Sequence, residues 1–191
     1  MVAHTVPQNK RDFRVAGIDQ SLRHTGVCLN QSGCEPTVMA FKQMKLRGAA
    51  RLSAMSREIL LLVRNFSPDL VVLEGFSIGS INRPYDLGEI SGVLKVGLFE
   101  SELEFITVPP KSMKFFVTGD GSASKEKVMW HVCKKYGVTT DNDNIADAVG
   151  LAKFGEVYLT GVSTYRSELE AIGRYNLDKI VDVKPTTLES V

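Results

Sequence analysis

The chain has 191 residues, of which 43% are hydrophobic and 24% charged, and its formal net charge at pH 7 is +1. These values are typical of a globular domain and exclude a disordered, collagen-like or disulfide-rich chain. No apolar run is long enough to span a membrane, and the polar stretch 1–10 lacks the hydrophobic segment of a signal peptide. Three cysteines without a CxxC pair are typical of free thiols in a reducing compartment, so we expect a cytoplasmic protein with no membrane partner.

The hydrophobic pattern predicts strands and helices along most of the chain. Short apolar runs bounded by turn residues predict strands at 13–19, 25–30, 37–42, 70–74 and 105–108. Helical spacing of apolar residues and capping signals predict helices at 48–66, 87–100, 111–117, 125–136, 141–158 and 164–175. This order predicts an α/β fold, with a five-stranded mixed sheet and helices on both faces.

The same pattern predicts how the chain is divided. We expect a flexible N-terminal tail at 1–11 and a single domain at 12–160. Residues 161–191 are expected to form a helical extension followed by a polar tail.

Three acidic residues lie in apolar surroundings. Asp19 and Glu74 each end a predicted buried strand, and Asp147 lies inside an apolar stretch of a helix. Burying an ionised carboxylate costs several kcal/mol unless a cation or a hydrogen-bond donor compensates. Three such acids, far apart in sequence, suggest one shared cation, and a hard divalent metal is the simplest candidate. Strand ends of this kind are where α/β folds place their active sites.

Lysine and arginine are concentrated in two blocks of the chain. Residues 41–64 contain six of them against one acid, and residues 108–135 contain six lysines against two acids. The two blocks could form one positive face that binds nucleic acid. The alternative is that they are ordinary solvated helix faces.

Four segments together resemble the RuvC-type Holliday junction resolvases of the ribonuclease H-like superfamily. Residues 17–27 are similar to the first hairpin of that family, although the Pro-Gly that usually follows the Asp is missing, as in a phage-like or divergent member. Residues 71–76 resemble the strand with the second acid, and residues 110–125 resemble the segment that contacts DNA. Residues 143–148 resemble the final helix with its Asp-x-x-Asp-Ala pattern. The resemblance implies a ribonuclease H-like fold.

The resemblance also implies a set of catalytic metal ligands. Asp19, Glu74 and Asp147 match three of the family's acids. The fourth acid falls on Asn144, with Asp143 one residue earlier. Positions three and four before Asp147 both lie near its face of a helix, so Asp143, Asn144 or a water could complete the set.

Further implied features concern the cofactor and the substrate. We expect two Mg²⁺ ions per site, with Mn²⁺ as a possible substitute, since two divalent ions activate water and stabilise the leaving oxygen of a phosphodiester. Lys125 is expected to act at the scissile phosphate. The expected DNA-binding residues are Lys111, Lys114, Lys125, Lys127, Phe76 and Arg83.

The resemblance therefore implies a metal-dependent, structure-selective endonuclease that acts on branched DNA, especially four-way junctions. Paired nicks in a two-fold junction require a homodimer, and the small residues of helix 87–100 make it the expected interface. Two alternatives are a ribonuclease H-fold nuclease of broader debranching or flap specificity, and a non-catalytic junction-binding protein.

Overall fold

The computed structural model describes residues 12–21, 23–75 and 84–177. Five strands are present in these ranges: β1 (Arg14–Asp19), β2 (His24–Gln31), β3 (Thr37–Lys42), β4 (Leu70–Glu74) and β5 (Phe105–Val108). Six helices accompany them: α1 (Gly48–Phe66), α2 (Pro84–Glu100), α3 (Pro110–Thr118), α4 (Lys125–Tyr136), α5 (Asp143–Thr160) and α6 (Arg166–Leu177). None of these helices is both long and apolar enough for a transmembrane span.

The strands form one mixed sheet in the order β3-β2-β1-β4-β5. β1, β2 and β3 pair antiparallel, whereas β1 pairs parallel with β4, and β4 pairs parallel with β5. The ends of β1, β3, β4 and β5 and the beginning of β2 therefore share one edge of the sheet, which we call the carboxyl edge.

Helices cover both faces of the sheet, as the strand pattern predicts. On one face, Ile18 and Leu73 pack against α1 and α2 through residues such as Ile59 and Leu94. On the other face, Val15 and Val72 join a larger core that is built from α3, α4, α5 and α6. Consecutive strand residues supply opposite cores because side chains alternate across a strand. The prediction of a five-stranded mixed sheet with helices on both faces is confirmed.

Glycines allow α5 to lie directly on the centre of the sheet. A Cβ added to Gly17 would lie 2.2 Å from the carbonyl oxygen of Ala148 and 2.4 Å from the backbone nitrogen of Ala152. Any side chain at Gly17 would therefore push the helix outward. This close approach brings the N-terminal turns of α5 to the carboxyl edge.

Several element boundaries differ from the predicted ones. The antiparallel ladder extends β2 to His24 and Gln31, since both residues have a partner in a neighbouring strand. The second helix begins at Pro84 rather than at residue 87, because proline fits the first position of a helix. α5 begins at Asp143 rather than at residue 141, because Asn142 caps it by accepting the backbone N–H groups of the next turn.

The extension beyond residue 160 joins the larger core. In α6, Ala171 and Tyr175 are buried in the same cluster as α5. The Tyr175 ring lies edge-on to Phe154, with ring centroids 5.3 Å apart, and its hydroxyl donates to the carbonyl of Thr107 at 3.1 Å.

Candidate active site

The three acidic residues singled out in the sequence lie close to one another at the carboxyl edge. Asp19 ends β1 and Glu74 ends β4, and these two strands are parallel neighbours. Asp147 lies in the second turn of α5, which packs on β1. The structure thus brings together residues that lie far apart in the sequence.

The charges of these acids act strongly on one another. Burial raises the pKa of Asp19 well above its usual value, and the charges of Glu74 and Asp147 raise it further. Burial and the charge of Glu74 raise the pKa of Asp147 to about 7. Burial also raises the pKa of Glu74. These acids resist ionisation in the absence of a nearby cation. A cation bound among them would stabilise their charged forms.

Asp19 and Glu74 also interact directly through their side chains. The contact between the two carboxyl groups raises the pKa of Asp19 and lowers that of Glu74. Two neighbouring carboxyl groups cannot both keep a full charge without compensation, so such a pair suits either a shared proton or a shared cation.

Two lysines face the acids from the neighbouring helices. Lys114 of α3 lowers the pKa of both Glu74 and Asp147 through its charge. Lys125, the first residue of α4, acts on the same two acids and donates a hydrogen bond to the Asp143 carboxylate. The pair raises the pKa of Lys125 and lowers that of Asp143, so both groups are charged at neutral pH.

The position of Asp143 bears on the fourth ligand. Its charge raises the pKa of both Asp19 and Asp147, so its carboxylate lies within electrostatic reach of the cluster. The backbone N–H of the next residue, Asn144, donates to the Asn142 side chain at 3.0 Å at the start of α5.

The donor set suits a hard divalent cation, although the carboxylates are not arranged as a coordination sphere. All four acids offer oxygen, the donor that Mg²⁺ and Mn²⁺ prefer. Within residues 12–21, 23–75 and 84–177, no three His, Cys, Asp or Glu side chains are grouped closely enough to hold a metal ion. The charges of Asp19, Glu74 and Asp147 nevertheless act on one another's pKa, so the three carboxylates lie within electrostatic reach of one another.

Comparison with known proteins identifies the family. The family model "Crossover junction endodeoxyribonuclease RuvC" matches residues 15–153. The chain belongs to the RuvC family. The chain is 27% identical to RuvC of Pelodictyon phaeoclathratiforme over 146 residues, which are 72% of this chain and 76% of the relative. It is 26% identical to RuvC of Hydrogenovibrio crunogenus over 153 residues, which are 77% of this chain and 89% of the relative.

A solved structure shows the same fold. RuvC of T. thermophilus in complex with a Holliday junction substrate superposes with a TM-score of 0.62 at 24% identity. The match covers 73% of this chain and 90% of that chain. The predictions of a RuvC-type crossover junction endodeoxyribonuclease and of a ribonuclease H-like fold are confirmed.

The RuvC match includes the whole acidic cluster and both lysines, and it ends inside α5. Of the other predicted DNA-binding residues, Lys111 is exposed on the first turn of α3. Lys127 is paired with Asp120, with 3.0 Å between Nζ and Oδ2. Phe76 and Arg83 lie outside the described residues.

Gln20 is a site residue that the sequence reasoning missed. It is 4% exposed, and its Nε2 donates to the backbone carbonyl of Glu74 at 2.9 Å. Its Oε1 is buried and has no hydrogen-bond partner within the described part of the chain. Gln20 stands where RuvC sequences usually have proline, and that departure is the signal that could have identified it. Its hydrogen bond joins the ends of β1 and β4 next to Asp19 and Glu74.

Proposed function

We propose that this RuvC-family chain is a divalent-metal-dependent endonuclease that cleaves four-way DNA junctions by paired nicks from a homodimer. The observation that carries the proposal is the cluster of Asp19, Glu74 and Asp147, faced by Lys114 and Lys125. Carboxylates in such surroundings suit a metal, and lysines beside them suit a phosphodiester.

Asp19, Glu74 and Asp147 would hold the metal, with Asp143 as the fourth ligand. Mg²⁺ is the expected ion, two per site, and Mn²⁺ offers a substitute with the same preference for oxygen. When bound, such ions supply an activated water and stabilise charge on the leaving oxygen. Asp19 would be a central ligand, because the charges of Glu74, Asp147 and Asp143 all raise its pKa.

The two lysines would act on the substrate. Charge grows on the phosphate oxygens as the phosphodiester bond breaks, and a fixed cation stabilises that charge. Lys125 is held in place by Asp143, so its ammonium group is oriented before the substrate binds. Lys114 would neutralise a neighbouring phosphate.

Residues around this centre would contact the rest of the junction. Lys111 and Lys127 flank the lysine pair on α3 and α4. Phe76 follows Glu74 by two residues and could stack on bases that are exposed at the crossover, and Arg83 could bind backbone phosphate.

α2 would supply the dimer interface. A groove of about 490 Å³ runs between α1 and α2 and is lined mainly by small and apolar residues. Val93 and Val96, which line this groove, are 38% and 57% exposed, and Phe99 on the same helix is 42% exposed. Apolar side chains that cluster on one face mark a surface for association, and a two-fold junction calls for a second copy of this chain.

A cleavage assay tests the proposal. Four-way, three-way, flap and linear duplex DNA are incubated with the protein in Mg²⁺, in Mn²⁺ and in EDTA. We expect metal-dependent, paired nicks in the four-way junction, loss of cleavage in Asp19→Asn, and full activity in the surface control Glu58→Gln. Equal cutting of linear duplex would refute junction selectivity, and preferred cutting of flaps would favour the debranching nuclease. Junction binding without cleavage in any metal would favour the non-catalytic protein.

A further inference from the structure

A group of basic residues lies at the carboxyl edge on the side away from α3 and α4. It consists of residues on the β1–β2 turn, the end of β3, the loop that follows and the start of α1, and we call it the basic rim. Its members are Arg23, His24, Lys42, Lys45, Arg47 and Arg51.

The strand register places this basic rim beside the acidic cluster. Asp19 pairs with Gly26 on β2, and Gly26 pairs with Ala40 on β3. Lys42 follows Ala40 by two residues and pairs with His24 at the edge. Since strands lie about 4.8 Å apart and rise about 3.3 Å per residue, the backbone of Lys42 lies roughly 12 Å from that of Asp19.

The stretch of chain that carries the rim is poor in acidic residues. Between residues 20 and 57 the chain has a single acid, Glu35. Glu35 lies in the β2–β3 turn, which is at the opposite edge of the sheet. By contrast, Lys125 and Lys127 on the other side of the site are paired with Asp143 and Asp120.

The loop that carries the rim is folded and not merely exposed. The Gln43 side chain accepts from the backbone N–H groups of Lys45 and Leu46 at 3.2 and 3.3 Å. The backbone N–H of Gln43 donates to the Arg23 carbonyl at 3.1 Å. The Arg51 side chain donates to the Leu46 carbonyl at 2.6 Å. These bonds fix the backbone from which Lys42, Lys45 and Arg47 project, and the three residues are exposed.

The start of α1 adds positive potential at the same place. No side chain caps this 19-residue helix within the described residues, and its first turn contains no acid. The unpaired N–H groups and the helix dipole therefore favour an anion beside Arg47.

We propose that the basic rim binds the phosphate backbone of the DNA arm that leaves the active site across β3. This inference rests on the proposed function, because it assigns a second contact surface to the same substrate. The roughly 12 Å between the backbones of Lys42 and Asp19 equals the length of about three to four nucleotides along a DNA strand at 3.4 Å each. One DNA arm can therefore contact the rim and the active site at the same time. Lys114 and Lys125 would hold the cleaved phosphate, and the rim would hold the flanking duplex without taking part in the chemistry.

Salt-dependent binding tests this assignment. Binding of a labelled four-way junction is measured by fluorescence anisotropy at several NaCl concentrations, with Asp147→Asn present in every protein to prevent cleavage. The rim variants are Lys45→Gln and Arg47→Gln, and the control is Arg57→Gln, an exposed cation farther along α1. Thermal unfolding of each variant should match that of the parent, because all three side chains are exposed.

We expect each rim variant to bind about fivefold more weakly at 0.15 M salt and to lower the salt slope by about 0.9, whereas Arg57→Gln does neither. In the cleavage-competent protein, KM should rise by a similar factor while kcat and the Mg²⁺ dependence stay unchanged. Unchanged junction affinity and an unchanged salt slope in both rim variants would overturn the assignment. That result is expected if the rim binds an acidic protein partner instead of DNA. If the parent protein neither binds nor cleaves junctions, the proposed function is wrong. If the parent protein cleaves junctions and the rim variants bind as tightly as the parent does, only the assignment of the rim is wrong.

Discussion

A Cβ on Gly26 would lie 2.0 Å from the backbone carbonyl oxygen of Asn144. The first turn of α5 thus rests on β2 with no space for a side chain between them. The contact lies next to Asp19, since Gly26 is the β2 partner of that residue. The distance from Asp19 to the acids of α5 therefore depends on a glycine.

Gly26→Ala should damage both stability and cleavage. The methyl group would meet backbone atoms that cannot rotate away, so α5 must shift outward, at a cost of about 1–3 kcal/mol. Because α5 carries Asp147, we expect cleavage to fall by more than the loss of folded protein accounts for. Urea unfolding and junction cleavage measure the two effects.

The matched control is Gly173→Ala in α6, where an added Cβ has no neighbour within 4 Å. Alanine is favoured over glycine in a helix, so this variant should gain about 0.5–1 kcal/mol and keep its activity. A Gly26→Ala protein with wild-type cleavage would show that the spacing of α5 is not critical.

The raised pKa of Asp147 predicts that acid stabilises the metal-free protein. Its folded-state pKa is about 7, against 3.8 without the fold. The stabilisation is complete below about pH 4 and is lost as the pH rises through 7, because the folded state then has to hold a buried charge. Asp147→Asn removes this penalty and should stabilise the protein at pH 8 by an amount on the order of 2 kcal/mol, allowing for the partial exposure of the side chain.

Thermal unfolding in EDTA between pH 5 and 9 measures this effect. The difference in Tm between Asp147→Asn and wild type should be small at pH 5 and positive at pH 8. Adding Mg²⁺ at pH 8 should raise the Tm of the wild type more than that of the variant, since binding to the folded state stabilises it. A pH-independent difference would contradict the proposed burial of charge.

The fourth ligand can be tested by comparing two adjacent residues. Asp143 acts on the pKa values of Asp19 and Asp147, and its carboxylate binds Lys125. Asp143→Asn should therefore lower the cleavage rate. It should also raise the Mg²⁺ concentration needed for half-maximal activity by about 10- to 100-fold. Asn144→Ala should stay near wild type. A Mg²⁺ titration of cleavage distinguishes them, and the opposite ranking would assign the fourth position to Asn144.

α6 should be held to the domain by a buried ion pair. Glu168 is 3% exposed, and its carboxylate accepts from Lys135 at 3.2 Å, Tyr136 at 2.7 Å and Ser163 at 2.5 Å. Glu168→Ala would leave Lys135 and Tyr136, both partly buried, without this acceptor, which should cost about 3–5 kcal/mol. Glu170→Ala, which removes exposed pairs on the same helix, should cost under about 1 kcal/mol. Urea unfolding of the two variants tests the difference.

Much of this arrangement could be predicted from the sequence, because burial leaves a periodic pattern. The apolar run 70–74 and the helical spacing in 48–66 predicted the observed bounds of β4 and α1. Asp19, Glu74 and Asp147 stood out because acids in apolar runs are costly. Gln20 and Gly26 did not stand out, since their roles depend on contacts across the sheet, with Glu74 and with α5. Glu168 was missed for the same reason: an acid on an amphipathic helix usually faces solvent.

The predicted dimer interface can be tested with one charge. Val96 lines the groove between α1 and α2 and is 57% exposed. Val96→Glu would therefore place a carboxylate in the interface at little cost to the folded monomer. Analytical ultracentrifugation should show a dimer for the wild type and a monomer for the variant. Since one monomer has one active site, the variant should leave junctions with single nicks instead of paired ones. Leu169→Glu on α6, 45% exposed on the other face of the sheet, should remain a dimer with paired nicks. A Val96→Glu protein that still dimerises would move the interface away from α2.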